Sequence, residues 1–355
     1  MSYAIGATDF GSLDQIVANT SQTKQLIAQL SAQASSGNIA PNYAGLGQAA
    51  APALDLTAAI ASNTALQTNA DSAANIQQIA QNALGNIETI TSNFATSALT
   101  LANTPTNTGT GVIAADAQDA LRQVANLLDT KVGDIYVFAG QDSATPPVPD
   151  PNGIAGSAFF TAIQTAIAGL TTNGATATEA STLAIAAPGG ISPFSPSLEA
   201  AGQQSQVDLG NGSRVTLAPL ANANSNATST GTSTTGSYTR DLLRSLATLG
   251  SLTAGQANDP NFLPLVQDTI SSLNGAVSAI STDIGALGNR QNLVTTANTE
   301  LGDTNNALTS QLSNLQDVDL TQVATKLSLA QTQLQASYQI ISSLGTLSLA
   351  KFLPA

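Results

Sequence analysis

Three groups of acidic residues are placed where carboxylate chemistry is conceivable. Asp317 and Asp319 stand two residues apart near the C-terminal end. Paired carboxylates can share acid and base roles, but at this spacing they point to different faces of a helix. Helix capping or simple solvation is the expected role. Asp116, Asp119 and Asp129 lie near Arg122, and a three-residue step suits ion pairs on an exposed helix face, worth a few tenths of a kcal/mol. Asp142, Asp150 and Asn152 offer oxygens to Ca²⁺, but their spacing fits no EF-hand loop. The chain has no histidine and no cysteine. That excludes a Cys/His metal site, a disulfide, a thiol nucleophile and the commonest general base. The glycine-rich stretches lack the lysine of a phosphate-binding loop. No catalytic, cofactor-binding or metal-binding residue is expected, and the chain does not read as an enzyme.

The composition points the same way. Twenty-two acidic residues against nine basic ones give a net charge of -13, which disfavours nucleic acid and offers nothing to an anionic membrane. No apolar run approaches the ~20 residues of a membrane span. Met1–Phe10 has neither a basic nor an apolar signal region, so no cleavable signal peptide is expected. Only 9% of residues are charged, against about 25% in ordinary soluble domains. The polar surface is therefore Ser, Thr, Asn and Gln, which suits protein–protein contact.

The elements that organise the chain are its two ends. Leu320, Val323, Leu327, Ala330, Leu334, Ile341 and Leu344 alternate gaps of three and four, with Ser337 filling the remaining position. That is a heptad stripe on a helix. Leu13, Ile16, Thr20, Thr23, Ile27, Leu30 and Ala34 repeat the pattern at the other end, stopping near Ser35-Ser36-Gly37. Two narrow seams of one period predict a pair. Asp317 and Asp319 precede the second helix and can cap it.

Between the ends lie two long helical arms. Ala53–Asn103 contains one glycine and no proline, and Leu265–Leu353 contains no proline. Thr104–Gly111 reads as a break, followed by a helix from Asp116 to Leu128. Tyr238–Leu249 reads as an amphipathic helix on Leu242, Leu243, Leu246 and Leu249. The glycines at 275, 285, 288 and 302 predict close approach of another helix. Residues 140–237 hold eight of the fourteen prolines. There Ile135–Phe138 leads in as a β-type run, Ala158–Leu170 fits a helix, and Val207–Leu217 fits a hairpin around Gly210-Asn211-Gly212. Asn222–Gly236 reads as a linker. The predicted fold is mostly α: a long antiparallel helical hairpin or coiled coil with paired terminal helices and a small β- and loop-rich domain inserted at the tip.

The segments Leu315–Leu353 (LQDVDLTQVATKLSLAQTQLQASYQIISSLGTLSLAKFL), Ile135–Gly140 (IYVFAG) with Thr145-Pro146-Pro147, and Gln29–Leu56 resemble the bacterial flagellin family. Leu334–Tyr338 (LQASY) is closer to the family's hook-associated, junction-type members than to main filament flagellins. The chain lacks the common NTN opening and ends in Leu-Pro-Ala, so the choice between the two stays open.

The resemblance implies a division into three parts. Residues 1–45 with 310–355 form a terminal helical pair in an inner tube, residues 46–139 with 238–309 a long-arm domain, and residues 140–237 a variable outer domain. It implies an extracellular subunit of the bacterial flagellum that assembles with itself and with other axial proteins (hook, other hook-associated proteins, flagellin), with an export chaperone as a further partner. The assembly surface expected from stripes and resemblance together is Leu13, Ile16, Ile27, Leu30, Leu320, Val323, Leu327, Leu334, Tyr338, Ile341 and Leu344. The residues alone leave two other readings: residues 140–237 as an adhesin or glycan-binding module on a helical stalk, or a stalk protein of a secretion needle or phage tail.

Overall fold

A computed structural model of the chain describes the backbone over residues 8–210, 212–223 and 227–350, and side chains within 14–343. The chain divides into two compact units. Unit 1 draws on residues up to Thr64 and from Gly302 onward; unit 2 is Ala65–Leu301. The long helices α2 (Ala50–Asn103) and α9 (Phe262–Gln316) contribute to both.

In unit 2, α2 and α9 follow one antiparallel register. Asn298 donates to Asp71 at 2.6 Å, Gln291 to Gln78 at 3.0 Å, and Ser281 to Glu88. These partners advance seven and ten residues along α2 while retreating seven and ten along α9. Pro52 and Pro264 sit in the first turns of their helices, where a missing N–H costs nothing. The expected break before α3 (Asn107–Leu128) is shorter than the sequence suggests. Thr106 caps α3 by accepting the Gly109 N–H at 3.0 Å, so Gly109 and Gly111 lie inside the first turns and Asp116 lies mid-helix.

The strands are small. β1 (Lys131–Val132) pairs with β2 (Ile135–Tyr136) across a tight turn where Gly133 takes φ 60°. Val137 and Phe138 leave the strand and are buried, and the Phe138 carbonyl accepts the Ala221 N–H at 2.9 Å. β3 (Gln206–Asp208) and β4 (Arg214–Thr216) form the expected hairpin. Val207 and Val215 pack with Ala73 and Val294, while Gln206, Asp208 and Arg214 line the other face. Four further helices occupy the proline-rich middle: α4 (Ala158–Ala168), α5 (Leu170–Asn173), α6 (Ala175–Ala186) and α7 (Pro196–Ala201). Phe159, Ile163 and Ile167 of α4 join the unit's main core with Leu84, Ile87, Leu121 and Leu128.

The centre of that core is α8 (Tyr238–Gly250), amphipathic as expected but buried on every side, its polar face included. Leu242, Leu243, Leu246 and Leu249 meet apolar neighbours. The opposite face carries Arg240, Asp241 and Arg244 into an enclosed polar network, because the segment read as a linker folds over it. Asp241 accepts the Thr235 N–H and hydroxyl, both at 2.8 Å. Arg244 donates to the Ser233 carbonyl at 2.9 Å and to the Ser272 hydroxyl at 2.6 Å, and lies 3.6 Å from the Asp268 carboxylate. Arg240 pairs with Glu199 and donates to the carbonyls of Asn222 and Ala186. Buried charges persist only with such partners.

Gly275 of α9 has a different neighbour from the expected helix. A Cβ there would overlap the Thr230 carbonyl of the strap over α8. Gly285 faces open space, and Gly288 meets only the end of the Gln81 side chain.

Unit 1 contains α1 (Thr8–Ser36), a 3₁₀ turn (Tyr43–Ala49), the first residues of α2, the last of α9, and α10 (Leu320–Ala350). Among the described residues no helix is long and apolar enough to cross a membrane.

Candidate assembly interface

The terminal stripes meet within unit 1. On α1, Thr20, Thr23 and Leu30 are buried and Ile16 and Ile27 half-buried; on α10, Val323 and Ala330 are buried and Leu327, Leu334, Ser337 and Ile341 half-buried. Leu30, Val323 and Ala330 form a small separate core with Ile27, Val318 and Leu327. Buried threonines are possible in the seam because each hydroxyl bonds back to its own helix: Thr20 to the Ile16 carbonyl at 2.7 Å and Thr23 to that of Asn19 at 2.9 Å.

Two expected seam residues are outside it. Ala34 is exposed because the chain turns at Ser36, and Gln33 reaches from the seam to the Ile39 carbonyl at 2.7 Å. Leu320 is 53% exposed, and Val318 takes the apolar place at that end. The side chains of Leu13 and Leu344 lie outside the described residues.

Tyr338 is exposed, with the Lys24 ammonium 5.5 Å from its ring centre. Such a contact is worth about 0.5–1 kcal/mol at an exposed site. Together with the end of the pair near Gly37 and Val318, it makes α1 and α10 antiparallel.

The pair closes at one end by a main-chain clip. The Ile39 N–H donates to the Gln316 carbonyl at 2.7 Å, and the Val318 N–H donates to the Gly37 carbonyl at 2.9 Å. Asn38 and Asp317 thus face each other in an isolated antiparallel bridge. Gly37 holds φ 74°, a conformation that glycine adopts without strain. Asp319 caps α10 by accepting the N–H groups of Thr321 at 2.9 Å and Gln322 at 3.2 Å, while Asp317 accepts the Ser313 hydroxyl. Sequence reasoning missed the clip. Its signal was the coincidence of two helix stops, Ser36-Gly37 and Asp317–Asp319, at matching distances from their seams.

Beyond the seam, the pair keeps large apolar side chains in solvent: Val17 and Leu26 on α1, and Ile340 and Leu329 on α10, the last 67% exposed. The described charges on these two helices are Asp14, Lys24 and Lys326. Apolar groups set among uncharged polar ones form a surface able to pack against protein.

Three of the other acidic groups are engaged locally. Asp119 pairs with Arg122. Asp129 stands at the C-terminal end of α3, where it accepts the Val148 N–H at 2.8 Å. Burial pushes its carboxyl up to about 6, against the lowering effects of that hydrogen bond and of Lys131. Asp150 accepts the Gly153 N–H at 2.9 Å, and the Asn152 amide oxygen accepts from Asn126 at 3.2 Å. Among the described residues no three His, Cys, Asp or Glu side chains gather as metal ligands would.

Residues 270–353, covering most of α9 and all of α10, match the family model of the bacterial flagellin C-terminal helical region. Over this stretch the chain is similar to the bacterial flagellins. No curated protein matches it. The matched region includes every α10 residue of the seam and the α9–α10 side of the clip. That match supports a structural subunit of the flagellum.

Proposed function

We propose that this chain is an axial subunit of the bacterial flagellum that polymerises through α1 and α10, with the junction between hook and filament as its place. The observation that carries the reading is the antiparallel α1–α10 pair. Its own seam is covered, yet Val17, Leu26, Leu329, Ile340 and Tyr338 remain in solvent among uncharged polar residues. In the proposed polymer, Ile16, Ile27, Leu30, Val323, Leu327, Leu334 and Ile341 hold the pair together, with Leu13 and Leu344 extending it. Leu320, Tyr338 and the exposed apolar residues face neighbouring subunits. Each contact need be only modest, because every subunit is held by several neighbours at once.

The junction role rests on the likeness of Leu334–Tyr338 and Ile135–Gly140 to junction-type family members. The three-part division at residues 45/310, 139/238 and 140–237 belongs to the same reading, as do the neighbouring axial proteins and an export chaperone. Electron microscopy of purified protein tests the role: failure to form long filaments alone, with incorporation when hook or filament proteins are supplied, is expected. Long filaments from the pure chain would instead make it a filament flagellin. Removal of residues 315–355 should leave a helical protein that does not assemble; assembly of that truncation would overturn the whole reading.

A further inference from the structure

We infer that the main-chain clip between Gly37–Ile39 and Gln316–Val318 is a register lock: it selects one of several nearly equivalent alignments of α10 on α1. The seam itself selects poorly. Sliding α10 by one heptad puts Ala330 where Val323 was, Leu334 where Leu327 was, Ser337 where Ala330 was and Ile341 where Leu334 was. Leu replaces Leu, Ile replaces Leu, and small residues replace small or medium ones, so a slipped pair buries a closely similar surface.

Charges that fix alignment in other paired helices are almost absent. Coiled coils are registered by flanking ion pairs or a buried polar residue that must find its mate. Here the buried Thr20 and Thr23 hydroxyls bond within α1, so they demand nothing of α10. The Lys24–Tyr338 contact is a single exposed interaction that contributes little.

The clip differs in kind. Its two hydrogen bonds, Ile39 N–H to Gln316 and Val318 N–H to Gly37, exist in one alignment only. A slip of seven residues displaces α10 by about 10 Å and would pull the Asp319-capped start of the helix away from Gly37. Gly37 at φ 74° turns the chain into the bridge, and Gln33 holds Ile39 in place from the last turns of α1. The inference concerns pairing within one chain and stands whether or not the pair then polymerises.

The absence of cysteine makes the test clean. A chain carrying Asn38→Cys and Asp317→Cys together should close a disulfide spontaneously, since facing residues without mutual hydrogen bonds lie close in an antiparallel bridge. Spin labels at Gln25→Cys and Gln335→Cys, both exposed, then read the alignment in full-length chains diluted with unlabelled protein. The unmodified clip should give one distance. Ile39→Pro removes one clip donor and Gly37→Val strains the turn; each should add a second, resolved distance from pairs in which α10 has slid along α1 by about 10 Å, with helix content unchanged. A single unshifted distance in both variants overturns the inference, as does loss of the pair altogether, which would make the clip a requirement for pairing rather than a selector of register. Failure of the disulfide to form between positions 38 and 317 would overturn the clip itself.

Discussion

The carbonyl of Thr230 occupies the place where a Cβ on Gly275 would lie. The obstacle is backbone, so no rotamer change relieves it, and the strap over α8 must lift. Gly275→Ala is expected to destabilise unit 2 by about 1–3 kcal/mol or more, as overpacking does. Gly285→Ala, with open space around it, should be neutral or gain up to about 1 kcal/mol from helix propensity. Urea midpoints of the two variants, measured side by side, check the contrast.

Arg244→Leu should cost about 3–5 kcal/mol, because it leaves the Asp268 carboxylate buried without its cation. Adding Asp268→Asn should restore part of the loss, with the Thr232 and Ser233 hydroxyls still bonded to the residue at 268. A double-mutant cycle by chemical denaturation measures the coupling; additive losses would mean that the two side chains are independent.

The Asp129 carboxyl gives a pH dependence of defined sign. Its value of about 6 in the folded chain lies above the ordinary 3.8, so the folded state holds this proton more tightly than the unfolded state. That contribution to stability is fully present below about pH 4 and is lost as pH rises through about 6. Asp129→Asn keeps an acceptor for the Val148 N–H and should flatten this part of the profile. Urea midpoints between pH 4 and 7.5 compare the two; identical slopes would refute the assignment.

Leu30→Ala and Leu329→Ser separate pairing from assembly. Leu30 is buried in the seam, and its truncation should weaken the α1–α10 pair by about 2–3 kcal/mol, read as earlier loss of hydrogen-exchange protection in both helices. Leu329 is exposed, so its replacement should leave that protection intact while raising the concentration needed to polymerise. Equal effects of both on protection would contradict the division of the two surfaces.

The helices were legible because their signals are repetitive. Seam positions from Thr20 to Leu30 and from Val323 to Ile341 fall where heptad spacing places them, and the long arms follow from the scarcity of proline. What could not be read depends on contacts distant in sequence. The polar face of α8 resembles a solvent-facing one until the Thr- and Ser-rich strap is known to cover it. Gly275 signals a close approach but not its source. Helix α6 carries many small residues and little apolar periodicity, so which face it buries, with Thr178 and Thr182 on it, is set by its neighbours. Val318 lies just before α10 and joins the seam only because the clip holds it there.

The shared step of Asp71–Asn298, Gln78–Gln291 and Glu88–Ser281 makes the two arms behave like the scales of a slide rule. One residue inserted between Asp71 and Glu88 would rotate everything beyond it by about 100° on a 3.6-residue turn and misalign the partners on one side of the insertion. A compensating change at the matching point of α9, or a whole heptad in both arms, would preserve the match. The lengths of two segments some two hundred positions apart are therefore inherited as one quantity, and viable relatives of this chain should lengthen or shorten both arms together.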